Sequence, residues 1–395
     1  MQLKDLFHNS RRVVAKFWLL THKNTEVVGI TGSYGKTNTT AAIFQVLAEK
    51  FKVLSTDLNL DTRYNIPITV LKLADHQKLV LEYGIDRVGE MSHHLFVAKP
   101  HIAVITGITP VHADKLHLGS LENIIQEKGK LAAAVPKDGW VVINWDDQFA
   151  RQIAEEAKGK VIFYGKNKYH CQLWATHIKT DYKGTYFRLH FQGQTHEVKM
   201  QLIGKHHAYT AMAATAVGFI CGLKWREISK GLAKLTPLAG RGNIEPGPKG
   251  TLILNDSRRA NPASTIAGLQ TLADLPAKRK IAVLGQMSEL GKYEEESHRA
   301  VGRKVTETKP DYLLCVGGPT KFIAEEARKG MKKEQIIFVK DVFEASGVLS
   351  GILKKGDLWY LKGSLLRHLE RIPLILEGRD VDPDDIAFHR YEVYT

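Results

Sequence analysis

The sequence contains few cysteines, no low-complexity tract and no internal repeat. Three of its 395 residues are cysteine, and Cys171, Cys221 and Cys315 are too far apart to suggest a metal centre. We therefore expect reduced thiols in a cytoplasmic protein. With 44% apolar and 25% charged residues, the composition is that of a folded chain, and the length predicts two or three domains.

Acidic residues are also in short supply. The chain has 42 Asp and Glu against 56 Lys and Arg, which gives a formal charge of +14 at pH 7. Such an excess fits nucleic acid, an anionic membrane surface or a polyanionic substrate. Because the basic residues are scattered, without the interleaved aromatic residues of a single-strand binder, we expect no nucleic-acid partner.

Residues 1–24 have the pattern of a basic amphipathic helix. Arg and Lys interrupt the apolar residues too often for a bilayer span, and a signal-peptide cleavage site is lacking. Two interpretations stay open: a helix packed on the next domain, or one resting on the inner membrane face through residues 1–20. The apolar residues at helical spacing are Leu3, Leu6, Phe7, Val13, Val14, Phe17 and Trp18.

A short β-branched strand runs into a glycine turn at residues 27–37 and ends in Gly-Lys-Thr. Gly32 and Gly35 permit positive φ and bring backbone N–H groups close to an anion. The lysine can reach the β- and γ-phosphates of ATP, the threonine can bind Mg²⁺, and a helix begins there. Ile30 replaces the first glycine of the longer motif. The predicted nucleotide-binding residues here are Gly32, Ser33, Gly35, Lys36, Thr37 and Asn38.

From residue 26 onward, short apolar runs alternate with helix-length segments, which indicates an α/β fold with mostly parallel sheets. The predicted strands are 27–31, 52–56, 78–82, 102–106 and 141–144, then 252–255, 280–284, 312–316 and 358–361. The predicted helices are 37–50, 121–135 and 208–221, with antiparallel hairpins between 176 and 202 and a linker at 236–242. We expect an N-terminal helix (1–24), a central P-loop ATPase-type domain (25–238) and a C-terminal α/β domain (239–395).

Ligands of open α/β sheets bind at the carboxyl ends of the strands. Glu82 closes an apolar strand, so its carboxylate should lie near the phosphate loop, where it could bind Mg²⁺. His112 follows another strand, and Lys128 lies in a predicted helix. Taken singly, these two residues would equally suit the protein surface.

Taken together, these segments resemble the Mur ligase family, in particular its MurF branch. The resemblance implies a Rossmann-like C-terminal domain and an ATP-dependent ligase that joins a carboxylate to an amine through an acyl-phosphate, in cytoplasmic cell-wall precursor synthesis. It rests on the ordered segments 31–37, 81–84 with 89–90, 111–112 with 119–120 and 127–129, 255–257 with 260–262, 283–291 with His298, and 362–364.

The resemblance also implies roles for individual residues. Lys36 would hold the β- and γ-phosphates, and Thr37 with Glu82 would bind a first Mg²⁺. His112 would bind a second Mg²⁺, and Lys128 matches the lysine that these ligases carbamylate. The implied site residues of the C-terminal domain, which close over the nucleotide or line the acyl-phosphate cleft, are Arg241, Asp256, Asn261 and Lys362.

The sequence departs from the MurF pattern in three places. His207 and Thr210 replace two asparagines near the adenine, and Arg258 and Arg259 replace a tyrosine and an asparagine. Only about 25 residues precede the phosphate-loop strand, where MurF enzymes carry a uridine-nucleotide-binding domain. We therefore expect the peptide acceptor to be held differently, through a partner chain or as a lipid-linked or polymeric substrate, with an amino acid or dipeptide as the amine.

Two alternatives follow from these departures. One is a related ligase that extends poly-amino-acid or folyl-glutamate chains. The other is a non-catalytic, nucleotide-binding subunit that supports a partner, although the presence of Lys36, Glu82, His112 and Lys128 argues against it.

Overall fold

The computed structural model describes residues 3–57 and 62–381, which form two compact units. Unit 1 takes the described residues up to 178, together with Tyr186–Met200 and His206–Leu235. Unit 2 takes Lys179–Thr185, Gln201–Lys205 and the described residues from 236 onward. Residues 1–2 of the predicted N-terminal helix and residues 382–395 of the predicted C-terminal domain lie outside the described part. The side chains of Leu3, Leu6 and Phe7 also lie outside it.

The helices and strands alternate along the chain, as the sequence predicts. Within the described residues, the strands of unit 1 and its extension are β1 (Glu26–Thr31), β2 (Val53–Ser55), β3 (Lys78–Glu82), β4 (Ile102–Ile105), β5 (Trp140–Asn144), β6 (Lys160–Gly165), β7 (Leu173–Asp181), β8 (Gly184–Phe191) and β9 (Gln194–Met200). The helices up to residue 235 are α1 (Leu3–Thr21), α2 (Lys36–Leu47), α3 (Thr62–Val70), α4 (Glu90–Val97), α5 (Leu121–Ala133), α6 (Gln148–Ile153), α7 (His207–Ile220) and α8 (Trp225–Ala233).

The same alternation continues in unit 2. Its strands are β10 (Asn243–Gly247), β11 (Thr251–Asn255), β12 (Arg279–Gly285), β13 (Tyr312–Val316), β14 (Ile336–Val339) and β15 (Asp357–Lys362). Its α-helices in the described range are α9 (Pro262–Asp274), α10 (Glu294–Thr308), α11 (Lys321–Ala327), α12 (Val342–Ile352) and α13 (Arg371–Leu376).

The first sheet has the order β2-β3-β1-β4-β5-β6-β7-β8-β9 among the described strands. Its strands from β2 to β7 pair in parallel, with Ile30 opposite Glu82 and Thr31 opposite Ile105. Val28 and Ile30 are fully buried, as in a parallel sheet covered on both faces. The predicted hairpins are confirmed, because two-residue connections join β7 to β8 and β8 to β9. This order brings the carboxyl ends of β3, β1, β4 and β5 to one edge.

The N-terminal segment is a helix, and it packs on α3 and α4 as the first of the two interpretations predicts. Ala15 is fully buried, the Trp18 indole N–H donates to the Leu73 carbonyl over 3.2 Å, and the rings of His8 and Tyr64 stack 4.0 Å apart. Within the described chain, no helix combines the length and apolar composition that a bilayer crossing requires.

The second sheet has the order β10-β11-β15-β12-β13-β14 in the described residues. β10 runs antiparallel to β11, and the remaining pairs are parallel. Ile281, Val283, Leu314, Trp359 and Leu361 form the centre of its apolar core. The carboxyl ends of β11, β15 and β12 therefore lie side by side.

The fold class is confirmed, with corrections at several boundaries. The predicted helix 37–50 ends at Leu47, and 121–135 ends at Ala133, shortly before Pro136. The predicted strand 52–56 is reduced to Val53–Ser55. The prediction omits β6, β10 and β14 and, among the described helices, all except α1, α2, α5 and α7. Of the omitted helices, α3 contains a proline.

Candidate active site

The phosphate loop connects β1 to α2 and depends on two glycines for different reasons. A Cβ added to Gly32 would lie 2.0 Å from the Thr106 hydroxyl oxygen, so no other residue fits. Gly35 has φ 74° and precedes the first residue of α2 without a side-chain cap. The first N–H groups of α2 are thus left for an anion, which the positive end of the helix dipole also favours.

The loop is held in place by the ends of two neighbouring strands. The Thr106 hydroxyl donates to the Tyr34 carbonyl over 2.6 Å, and the Ser33 N–H donates to the Gly107 carbonyl over 2.7 Å. The Tyr34 hydroxyl donates to Asp147 over 2.8 Å, and burial raises the Tyr34 pKa. Sequence reasoning missed these supports, although Thr106-Gly107 and Asp147 follow β4 and β5, where site residues are expected.

Two lysines converge on one carbonyl of the loop. The ammonium groups of Lys36 and Lys128 lie 2.8 Å and 3.1 Å from the Gly32 carbonyl oxygen. Lys128 projects from α5 and is only 2% exposed. Burial, and then the charge of Lys36, hold the pKa of Lys128 well below its usual range, against the opposing carboxylates of Asp86 and Glu82. The amine of Lys128 therefore loses its proton far more easily than that of an exposed lysine.

Glu82 and His112 lie at the same edge of the sheet as the loop. Glu82 is the last residue of β3, and its charge is felt by Lys128. His112 has φ 64°, an uncommon backbone conformation for a residue with a side chain, and its Nε2 lies 3.4 Å from a carboxylate oxygen of Asp86. Strained backbone of this kind is often found at functional sites. Thr37 lies half-buried in the first turn of α2.

The structure thus brings together the unit 1 residues that the sequence singled out. Gly32, Ser33 and Gly35 lie in the loop, and Lys36, Thr37 and Asn38 form the first turn of α2. Glu82 and Lys128 interact electrostatically beside it. Asp86, which faces both His112 and Lys128, is an additional acidic residue that the sequence analysis missed.

In unit 2, the buried Lys362 and the half-buried Asp256 form an ion pair at the ends of β15 and β11. The Lys362 ammonium lies 2.6 Å from a carboxylate oxygen of Asp256, and the Tyr360 hydroxyl donates to the same oxygen over 3.4 Å. Burial raises the pKa of Asp256 and lowers that of Lys362, while their contact opposes both shifts. The charge of Arg241 lowers both pKa values. Three of the predicted unit 2 residues are therefore neighbours.

Asn261 has a local structural role that the sequence interpretation did not include. Its side-chain oxygen accepts from the Ser264 N–H over 2.9 Å and caps α9, which begins at Pro262. Asn before Pro, with Ser three residues on, is a typical helix start. The cap uses one of the two lone pairs of this amide oxygen, so a ligand would meet the second lone pair and the amide N–H groups.

The departures from the MurF pattern lie in well-defined places. His207 begins α7 and is 2% exposed, and burial lowers its pKa well below the usual range. Thr210 is buried one turn further along the same helix. In unit 2, Arg258 is half-buried and Arg259 is exposed. Both follow Asp256 closely in the sequence.

Comparison with known proteins gives consistent results. The protein-family model of the Mur ligase middle domain matches residues 30–218. The family model of the Mur ligase, glutamate ligase domain matches residues 240–365. The UDP-N-acetylmuramoyl-tripeptide–D-alanyl-D-alanine ligase of Bacillus subtilis is 32% identical over 356 residues, which is 89% of this chain and 76% of that protein.

Two solved structures are also similar to this chain. A crystal structure of MurF from Acinetobacter baumannii superposes with a TM-score of 0.85 at 25% identity, covering 94% of this chain and 81% of the other. MurF ligase from Thermotoga maritima in complex with ADP superposes with a TM-score of 0.81 at 24% identity, covering 94% and 83%.

Proposed function

Because the chain belongs to the Mur ligase family and is an ATP-dependent amide-bond ligase, we propose that it performs a MurF-like reaction in cell-wall peptidoglycan synthesis. The carboxylate would be a UDP-muramoyl tripeptide and the amine D-alanyl-D-alanine, as the name of the Bacillus subtilis relative indicates. We place the reaction in the cytoplasm, where ATP is available. The observation that carries the proposal is the phosphate loop with Lys36 and Lys128 on one carbonyl.

The loop fits the phosphates of ATP. A Cβ at position 32 would fill the space that the loop needs, and the first turn of α2 begins with uncapped N–H groups. Lys36 adds a positive charge at the same point. The MurF ligase of Thermotoga maritima, which shares this fold, is in complex with ADP, and we assign the nucleotide of this chain to the phosphate loop.

The donor set also fits Mg²⁺. The hydroxyl of Thr37 and the carboxylate of Glu82 are hard oxygen ligands, which Mg²⁺ prefers. His112 with its acidic neighbour Asp86 would contribute to a second ion. When bound, the metal offsets the negative charge that accumulates as a phosphate and a carboxylate approach one another.

Lys128 is suited to carbamylation. A neutral lysine amine attacks CO₂ to form a carbamate and releases one proton, whereas an ammonium group cannot react. Burial beside Lys36 favours the neutral amine. The modification would replace this neutral amine with an anion that can bind a metal ion.

The reaction itself needs activation of the carboxylate. A carboxylate oxygen attacks the γ-phosphorus of ATP, which gives an acyl-phosphate and ADP. The amine then attacks the acyl carbon, and the amide forms as inorganic phosphate leaves and a proton is released. The chain contributes by holding charge and orientation: Lys36 at the phosphates, and Asp256 with Lys362 as a fixed ion pair in unit 2.

The test is a matrix of substrates with phosphate release as the readout. The protein is incubated with ATP, Mg²⁺ and pairs drawn from muramoyl peptides, folyl-glutamates, amino acids and dipeptides, and products are identified by mass spectrometry. We expect release only with a muramoyl tripeptide and D-alanyl-D-alanine together. Turnover with glutamate and a folyl or poly-amino-acid acceptor would replace this proposal with the first alternative, and nucleotide binding without any turnover would favour the non-catalytic subunit.

A further inference from the structure

One side of helix α1 carries an exposed strip of apolar side chains, which we call the apolar strip. Val13, Val14, Phe17 and Leu20 are 42%, 56%, 62% and 57% exposed. At 100° per residue these side chains project from the same side of the helix, opposite the fully buried Ala15. The packing of α1 on unit 1 therefore leaves its most apolar side in solvent, and such contiguous patches usually mark an interaction surface.

The surroundings of the strip are basic. Residues 6–25 contain two arginines and two lysines and not one Asp or Glu. Beyond Leu20, a groove of about 800 Å³ lies between α1 and α4, with Leu19, Leu20 and Phe96 on its apolar floor. Lys23 and Lys99 line this basic groove, and both are exposed. Leu20 belongs to both the apolar strip and this groove, so the apolar and cationic groups adjoin there.

We propose that the apolar strip and the basic groove bind the surface of an anionic lipid bilayer. A bilayer supplies both the apolar depth and the phosphates that this surface matches, and a helix with one apolar side flanked by cations is the usual form of an interfacial helix. A second copy of the chain matches less well, because a symmetric contact would place the same cations against each other. This inference goes beyond the proposed function and does not depend on it.

The position of the surface leaves the phosphate loop accessible. The basic groove includes Thr25 and Val27, at the start of β1, whereas the loop follows Thr31 at the end of that strand. The strand separates them by about 17 Å at roughly 3.3 Å per residue. ATP turnover should therefore continue on the membrane.

Co-sedimentation of the full chain with vesicles tests the proposal. Vesicles of phosphatidylglycerol and phosphatidylethanolamine are compared with neutral phosphatidylcholine vesicles, at low and at high salt. We expect binding to the anionic vesicles only, and loss of that binding at high salt. A strip variant, V13S with F17S and L20S, should release the protein. The control F338S with F343S changes two apolar side chains of unit 2 that are 48% and 42% exposed, and it should bind as the wild type does.

A second pair of variants tests the charge without touching the helix packing. K23Q with K99Q removes two exposed cations from the groove, and K292Q with K321Q removes two exposed cations elsewhere. Each cation near an anionic leaflet is worth about fivefold in binding, so the groove variant, which loses two, should bind about twenty-five-fold more weakly. The control should bind as the wild type does.

Several outcomes would overturn the proposal. These are wild-type protein that stays in the supernatant with anionic vesicles at low salt, equal binding to neutral vesicles, and groove and control variants that bind alike. Self-association that the strip variant abolishes, without vesicle binding, would identify a second copy as the occupant. If thermal melting shows that the strip variant is unfolded, the comparison of K23Q/K99Q with its control K292Q/K321Q decides whether the proposal holds.

Discussion

Replacement of Lys128 by methionine should separate catalysis from stability. The Lys128 side chain is buried, and its ammonium group shares the Gly32 carbonyl with Lys36, at 3.1 Å and 2.8 Å. Methionine has a similar length and no charge, so it removes the desolvation cost and the repulsion from Lys36. The Gly32 carbonyl keeps Lys36 as a partner, so no buried acceptor is left unpaired.

We expect Lys128→Met to raise the free energy of unfolding by about 1–2 kcal/mol, the range for relieving an unfavourably buried polar group. For a unit of this size, that is roughly a 2–8 °C rise in melting temperature. The pH dependence has a definite sign. Because the folded pKa of Lys128 lies below the unfolded value of about 10.4, the charged form costs stability at low pH, and the cost fades as the pH rises towards 10.4. The gain should therefore be largest at low pH.

The same variant should lose about 10²- to 10³-fold in kcat, the usual effect of removing an electrostatic group from an active site. Lys128→Ala should lose as much activity. Excess acetate or formate should partly restore the activity of this alanine variant, because a small carboxylate can enter the space that alanine leaves open and methionine fills. Phosphate release measures turnover, and melting in CO₂-depleted buffer measures stability. Lys137→Ala, an exposed lysine beyond α5, serves as the control.

Two results would refute this reasoning. Full activity of both variants would show that Lys128 takes no part in the reaction. A lower melting temperature for Lys128→Met would show that its hydrogen bond to Gly32 anchors the phosphate loop, and that the charge is tolerated at no net cost.

Three further predictions concern the phosphate loop and the acceptor. Lys36→Ala should abolish ATP-dependent phosphate release with an unchanged melting curve, since the side chain contacts a backbone carbonyl; equal release by both proteins would rule out the loop assignment. Gly32→Ala should destabilise the protein by at least 1–3 kcal/mol, about the cost of overpacking, whereas Gly347→Ala, with open space at its Cβ, should not; urea unfolding compares them. Changing Arg258 and Arg259 together to Ala should raise the KM for the acceptor severalfold and leave that for ATP unchanged, if they bind an anionic group; unchanged constants would contradict such a role.

The sequence predicted the elements whose signals are local. The glycines before Lys36 predict the loop. The position of Glu82 was predicted correctly because the apolar run of β3 stops at this residue. The cap made by Asn261 was not predicted, although Asn-Pro with a serine three residues on is a local signal for the start of a helix. The resemblance to Mur ligases supplied what local patterns could not, namely that His112 and Lys128 belong beside the loop.

Other features depend on contacts between distant segments and could not be predicted. No local pattern shows that Thr106 holds the backbone of the loop, or that Asp147 accepts from Tyr34. The helical period predicted a helix at residues 1–24 but not the side on which it packs, because the period shows where the apolar side chains lie and not which elements contact them. That side is decided by its neighbours α3 and α4, both absent from the prediction.

The support of the phosphate loop by the ends of β4 and β5 bears on how such a site could be transplanted. The loop of residues 32–35 keeps its shape through Thr106, Gly107 and Asp147, which lie 70 or more positions further along the chain. A host protein given only the strand, loop and helix would receive the phosphate ligands without the groups that fix their backbone. The smallest transferable form of this site therefore includes the ends of three neighbouring strands, β1, β4 and β5. A graft must contain all three to keep the function.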